Sequence, residues 1–208
     1  MNKEKIILTS SRSADGLDVL ISHIESRGYS VVLASTLEEL EQQDFGQAFS
    51  ILSDRTTYLI PEHVYSRATG FSINIHPSLL PLHAGSYSLF WSCIFDDPYG
   101  ITIHELGPKL DQGSILFQSA IEYSACQTFR DVYRATRIAT VAAIDVLLQA
   151  NDLKFKFCGI ASSKENFFLH TSSVARPLLE RLPNSWDTSI ATAREILRGS
   201  TDKSGRTI

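Results

Sequence analysis

At 208 residues the chain is long enough to bury one sizeable core, as a single domain or a domain with an appendage. Hydrophobic residues make up 43% and charged residues 20%, ordinary values for a globular protein, and no apolar run is long enough to span a bilayer. The formal charge of −4, from 19 basic and 23 acidic residues, speaks against a nucleic-acid surface.

The first residues, MNKEKIILTSS, carry a short basic start without the apolar stretch and cleavage site of a secretory signal. Lys5 to Leu8 predicts a strand. The Ser-rich turn SSRSADGL follows; it lacks both the Gly-Lys-Ser/Thr of a P-loop and the GxGxxG of dinucleotide binders. It is read as a plain turn with Asp15 as helix N-cap, and no ligand is assigned to it. A helix is predicted from about Asp15 to Arg27, with Leu17, Leu20, Ile21 and Ile24 as its buried stripe and Gly28 as its stop. Val31 to Ala34 predicts the next strand, and Thr36 with Glu39 has the spacing of a capping box. Phe49 to Leu52 is a third strand, and Pro61 starts a helical turn. This alternation predicts a parallel sheet with crossover helices, a fold that binds ligands beyond the carboxyl ends of its strands.

The stretch from Phe71 to Gln118 carries unusual chemistry. Its first strand places Asn74 and His76 on one face and Ile73 and Ile75 on the other. A second strand, Gly100 to Leu106, likewise sets Thr102 and His104 opposite Ile101 and Ile103. Asp111 follows on a turn, with Gly113 read as the residue that lets the backbone bend. An amide, two imidazoles and a carboxylate can thus converge at one end of a sheet. A zinc site from His76, His83, His104 and Asp111 is the alternative, but it lacks the H-x-x-x-H or C-x-x-C spacing.

Ser114 to Gln118 predicts another strand. Thr128 and Asp131 open a helix reaching about Ala150, with Val132, Ala135, Ala139, Ala142 and Val146 as its core face. Lys154 to Ile160 is a further candidate strand. Pro177 to Leu182 and Asp187 to Leu197 read as short helices, and Gly199 to Ile208 as a polar tail. Cys93, Cys126 and Cys158 form neither a metal pattern nor a disulfide framework, so a reducing cytoplasm is the expected compartment.

Asn74-Ile75-His76-Pro77-Ser78-Leu79-Leu80-Pro81 with Gly85, then Gly100 to His104, then Asp111-Gln112-Gly113 resembles the folate-dependent formyltransferases. That family includes glycinamide ribonucleotide, methionyl-tRNA and sugar N-formyltransferases. The resemblance implies an α/β, Rossmann-like, mostly parallel twisted sheet flanked by helices. It implies a catalytic domain over residues 1–150 and a small C-terminal extension over 151–208 packed on the same domain. It also implies N10-formyltetrahydrofolate as co-substrate, no metal, and Asn74, His76 and Asp111 as the catalytic groups. His104, Ser78 and Thr102 are expected to support them. Leu80, Pro81, Gly85, Phe90, Trp91 and Gly113 are candidates for a folate or acceptor pocket, although an aromatic pair such as Phe90 and Trp91 is more often core.

The chemistry fits those residue types. Formyl transfer to an amine passes through a tetrahedral intermediate bearing an oxyanion, which a neutral amide N–H and an imidazolium N–H can stabilise. His76 can donate to that oxygen or move protons, and Asp111 can hold it charged. The run from Gly85 to Trp91, together with Thr102-Ile103-His104-Glu105, looks most like the sugar N-formyltransferases, although Ser88 stands where that family usually has proline. The resemblance therefore implies an amine acceptor that is a nucleotide-linked sugar, with a homodimer as the expected assembly and no nucleic-acid or membrane partner. A glycinamide ribonucleotide formyltransferase-like enzyme, a formyltetrahydrofolate hydrolase and a non-catalytic folate- or sugar-binding relative are the alternatives.

Overall fold

Strands and helices alternate from β1 (Lys5–Thr9) through α1 (Leu17–Ser26), β2 (Ser30–Ala34), α2 (Leu37–Glu41), β3 (Phe49–Asp54) and α3 (Glu62–Tyr65) to β4 (Ser72–His76). Then come β5 (Ala84–Gly85), α4 (Ser88–Phe95), β6 (Gly100–Glu105), β7 (Ile115–Ala120) and the long α5 (Phe129–Gln149). The chain closes with β8 (Leu169–His170), α6 (Ser172–Glu180), one 3₁₀ turn and α7 (Ile190–Leu197). This computed structural model describes residues 4–45, 49–149, 169–202 and 204–208; the strand expected over Lys154 to Ile160 lies outside them.

Six strands form the main sheet in the order β2-β1-β3-β4-β6-β7. The β1/β2, β1/β3 and β3/β4 pairs are parallel, as helical crossovers require. At the far edge, Glu105 N–H donates to Ser114 O and Ile121 N–H to Tyr99 O, bonds that mark β6/β7 as antiparallel. Every residue of β3 is buried, which fits its place inside the sheet. The mostly parallel α/β architecture is the expected one.

The chain divides into two compact units that interleave in sequence. One holds the chain up to His76, Ile103–Phe117 and α5 from Thr140 onward; the other holds Pro77–Thr102, Gln118–Ala139 and the C-terminal helices. Ile7, Phe49, Ile51 and Val64 centre an apolar cluster in the first. Leu89, Phe90, Trp91, Phe129, Ala175 and Leu197 belong to the cluster of the second, so α6 and α7 share a core with α4.

Local sequence signals account for most boundaries. Thr36 Oγ1 accepts from Glu39 N–H, and the Glu39 carboxylate accepts from Ser35 N–H, a capping arrangement shifted by one residue from the reciprocal form. At α1 the N-cap is Gly16 in the left-handed conformation, with no side-chain cap, which replaces the expectation for Asp15. Leu17, Leu20 and Ile24 are buried as expected, while Ile21 is only half-buried. Helix α6 begins at Ser172 with Pro177 inside it, rather than at Pro177.

The core face of α5 is also corrected. Val132 is buried, but Ala142 and Val146 are exposed. The buried set is Phe129, Val132, Thr136, Thr140, Ala143, Ile144, Leu147 and Leu148. Threonines pass into this face because their hydroxyls need not lose a partner on burial. Thr136 Oγ1 donates to Val132 O and shares a 2.8 Å hydrogen bond with Tyr99 Oη.

The expected polar tail is folded. Gly199 N–H donates to Ile208 O, Ile208 N–H donates to Ser200 O, and Thr201 bridges Thr207 in antiparallel fashion. Arg206 pairs with both carboxylate oxygens of Asp97 and stands over the Phe95 ring at 4.1 Å. His83 Nε2 donates to the same carboxylate at 2.9 Å, and its Nδ1 lies 3.1 Å from His170 Nε2.

Burial, with the neighbouring His83 ring, pushes His170 down to about 4; burial also lowers His83, against the pull of Asp97. For a folded pKa below the unfolded value of about 6.5, the unfolded chain binds more protons between the two. The stability these rings contribute is therefore complete above about pH 6.5 and is lost as pH falls toward the folded values. Between pH 7 and 4.5 the wild-type melting temperature is expected to fall on the order of 5 °C further than that of His170→Phe. Parallel melting curves for the two proteins would refute this assignment.

Candidate active site

Strand β4 ends in the alternation Ile73-Asn74-Ile75-His76. Ile73 and Ile75 are buried on one face, which sends Asn74 and His76 to the other. Asn74 lies in register with Ser53 of β3. On its other side it meets β6: Asn74 Nδ2 is 3.0 Å from His104 Nε2. The far nitrogen of that ring, Nδ1, is 2.8 Å from Glu105 O. Leu106 N–H donates to Ser72 O, so β6 runs antiparallel to β4; His76 ends β4 beside its parallel neighbour β3, at the carboxyl edge where backbone pairing stops and side chains become available.

Asp111 completes the group from the loop after β6. Its Oδ2 is 3.4 Å from His76 Nδ1, and its Oδ1 is 3.6 Å from His104 Nε2. All three side chains are about 95% buried, so the carboxylate acts on the two rings with little solvent screening. Nδ1 of His76 faces the carboxylate. A separation of 3.4 Å is longer than a good hydrogen bond.

The backbone of this loop is unusual where the side chain matters. Asp111 itself adopts a left-handed φ of 54°, a conformation that Asp tolerates better than most residues. Gly113 does not: its φ lies outside that region, which corrects its reading as the bend. It is required for close approach. A Cβ there would lie 1.8 Å from Glu105 O and 3.2 Å from His104 Nδ1. Gly113→Ala is therefore expected to cost roughly 1–3 kcal/mol by overpacking and to displace His104. Denaturant unfolding measures the first effect. Unchanged stability would show that the loop yields.

The family model for formyl transferases matches residues 50–147, a span that contains Asn74, His76, His104 and Asp111. GDP-perosamine N-formyltransferase of Brucella melitensis is 29% identical over 151 residues, covering 70% of this chain and 58% of that protein. PseJ of Anoxybacillus kamchatkensis, solved with UDP-4,6-dideoxy-4-formamido-L-AltNAc and tetrahydrofolate, superposes with a TM-score of 0.69 at 27% identity, covering 91% of this chain and 97% of that one. Over these residues the chain is similar to formyl transferases. A 4-N formyltransferase from Francisella tularensis shares the fold, with a TM-score of 0.68 at 16% identity over 99% of this chain and 95% of that one.

The Pro-rich loop after β4 is held within the second unit by two side chains. Thr102 Oγ1 donates to Ser78 O at 2.7 Å and accepts from Leu80 N–H at 3.0 Å. Gln118 Nε2 donates to Leu80 O and to Thr102 Oγ1. Ser78 Oγ donates to Leu82 O, and the Leu80–Pro81 peptide is cis. Thr102 lies on the same face of β6 as His104, and its hydroxyl bonds this loop. Gln118 was missed altogether, since a lone glutamine on an edge strand has no sequence signal.

Ser88, at the place where the family usually has proline, is the first residue of α4. Proline favours that position because its missing N–H and fixed φ cost nothing there. Serine substitutes with a hydroxyl that donates to Pro77 O at 3.0 Å. Gly85, at φ 89°, pairs with His170, and a Cβ on it would lie 2.3 Å from His170 O. Its need for glycine is thus the β5/β8 pairing. Phe90 and Trp91 are fully buried, Phe90 against Phe129 and Trp91 stacked on Phe95 and His170. They pack a core, which corrects their candidacy as pocket walls.

Among the described residues, no group of three or more His, Cys, Asp and Glu is placed to hold a metal ion. His83 belongs to the second unit and contacts His170 and Asp97. No helix among them is long and apolar enough to cross a membrane.

Proposed function

We propose that the chain transfers the formyl group of N10-formyltetrahydrofolate to a primary amine on a nucleotide-linked sugar. The observation that carries the reading is the cluster of Asn74, His76 and Asp111 at the carboxyl end of β4, with His76 and Asp111 3.4 Å apart. The chain spans only 58% of the length of the Brucella relative, so the activity is argued from these residues. The relatives' names and the nucleotide sugar and tetrahydrofolate bound by PseJ support the donor and the acceptor class.

The reaction forms one C–N bond and breaks another. The acceptor nitrogen attacks the formyl carbon, and the carbonyl oxygen takes the electron pair as an oxyanion. Collapse of the intermediate reforms the carbonyl and expels N10 of the folate. One proton leaves the acceptor nitrogen and one reaches N10, so the sum is formamide plus tetrahydrofolate. Asn74 Nδ2–H and His76 Nε2–H are the donors suited to the oxyanion. His76 moves the proton, directly or through water, and Asp111 stabilises the imidazolium while that happens.

The test is incubation of the full chain with N10-formyltetrahydrofolate and a panel of nucleotide-linked amino sugars. Folate absorbance and product mass are followed together. Donor consumption that depends on an amino sugar supports the proposal. Consumption at the same rate without any amine would make the protein a hydrolase.

A further inference from the structure

We propose that His104 is a positioning residue that fixes which edge of the Asn74 amide faces the reacting carbonyl. The proposal rests on the formyl-transfer reading for its kinetic consequence, but its structural basis is independent. Nδ1 of His104 is 2.8 Å from Glu105 O, and a carbonyl oxygen only accepts, so this nitrogen carries hydrogen. A neutral ring held this way presents a bare lone pair at Nε2. The atom 3.0 Å from that lone pair is Asn74 Nδ2, which only donates. Donor and acceptor therefore match at both ring nitrogens in a single arrangement.

That arrangement determines the amide. One Nδ2–H of Asn74 is spent on His104, and the second, fixed by the planarity of the amide, is the hydrogen left to meet an oxyanion. A hydrogen on Nε2 would oppose N–H to N–H and turn the amide, exchanging its oxygen for its nitrogen at the place where negative charge develops. Asp111 Oδ1 lies 3.6 Å from the same ring nitrogen, beyond hydrogen-bond range, so it does not compete for the hydrogen. Gly113 closes against the other side, where a Cβ would come within 3.2 Å of Nδ1. The ring has little room to rotate away.

His104 thus touches no reacting atom. Its effect is on turnover rather than on donor binding, because an oxyanion donor acts on charge that exists only after attack. Glutamine can place a carbonyl oxygen near the position of Nε2 and keep the amide in register. Phenylalanine keeps the ring shape and offers no acceptor.

Two measurements test this on the full-length chain. Nitrogen-15 labelling of histidine and asparagine side chains, read near neutral pH, is expected to show hydrogen on His104 Nδ1, none on Nε2, and a through-bond coupling between Nε2 and Asn74 Nδ2. Hydrogen found on Nε2 would overturn the proposal without any assay of activity. In kinetics, His104→Phe is expected to lower kcat about 100-fold, with the KM for formyl donor and the melting temperature near wild type. His104→Gln is expected to recover at least about tenfold of that loss. Two folded variants that are equally slow, or a His104→Phe variant as fast as wild type, would overturn it. Failure of the wild type to formylate any amine would instead overturn the formyl-transfer reading, and the spectrum alone would then decide the role of His104.

Discussion

Replacing His76 with alanine is expected to lower kcat by on the order of 10²–10⁴-fold, the range of a positioned general acid–base. The ring is 4% exposed at the end of β4, and its Nδ1 faces Asp111. In the proposed reaction its loss removes, in one step, a donor to the oxyanion and the group that moves the amine proton. Donor affinity is not expected to follow, because the charge His76 stabilises is absent from bound substrate. Steady-state kinetics with a circular-dichroism check of folding measures both. A folded His76→Ala variant within a few-fold of wild type would remove the imidazole from the mechanism.

Asp111→Asn is the second large effect, expected to be on the order of 10³-fold in kcat. The substitution is nearly isosteric and keeps a side chain that tolerates the left-handed backbone at φ 54°, so the fold is expected to survive. What disappears is the negative charge 3.4 Å from His76 Nδ1, in a setting about 95% buried where such a charge is poorly replaced by solvent. The imidazolium formed during transfer then has no counter-charge. An amide in this position can also present its NH₂ to His76 and favour the wrong tautomer. Near-normal turnover in folded Asp111→Asn would mean that the carboxylate serves the loop rather than the chemistry.

The parts of the molecule legible in sequence are those specified by local pattern. The period-2 alternation of Ile73-Asn74-Ile75-His76 set the site face of β4, and Thr36 with Glu39 marked the start of α2. What pattern could not see were contacts between residues distant in sequence. Thr102 sits on the same strand face as His104 yet serves the Ser78–Leu80 loop, because strand alternation gives a face but not a partner. Thr136 and Thr140 took the buried face of α5 from Ala142 and Val146, because a helical threonine can satisfy its hydroxyl internally. Arg206 reaches Asp97, a pairing across 109 positions in a segment that composition reads only as a polar tail. Gly113 carries the same lesson at the site: its glycine requirement comes from Glu105 O, not from its own dihedral angle.

The central claim is that an amide, an imidazole and a carboxylate gather around a formyl carbon while it changes hands. The most direct measurement uses N10-formyltetrahydrofolate carrying carbon-13 in the formyl group, incubated with the protein and nucleotide-linked amino sugars, with the label followed by NMR. The account predicts that the label appears in a new formamide on the sugar nitrogen as tetrahydrofolate accumulates, and that His76→Ala and Asp111→Asn suppress that signal. Label appearing as free formate, or remaining on the folate with every acceptor, would contradict it.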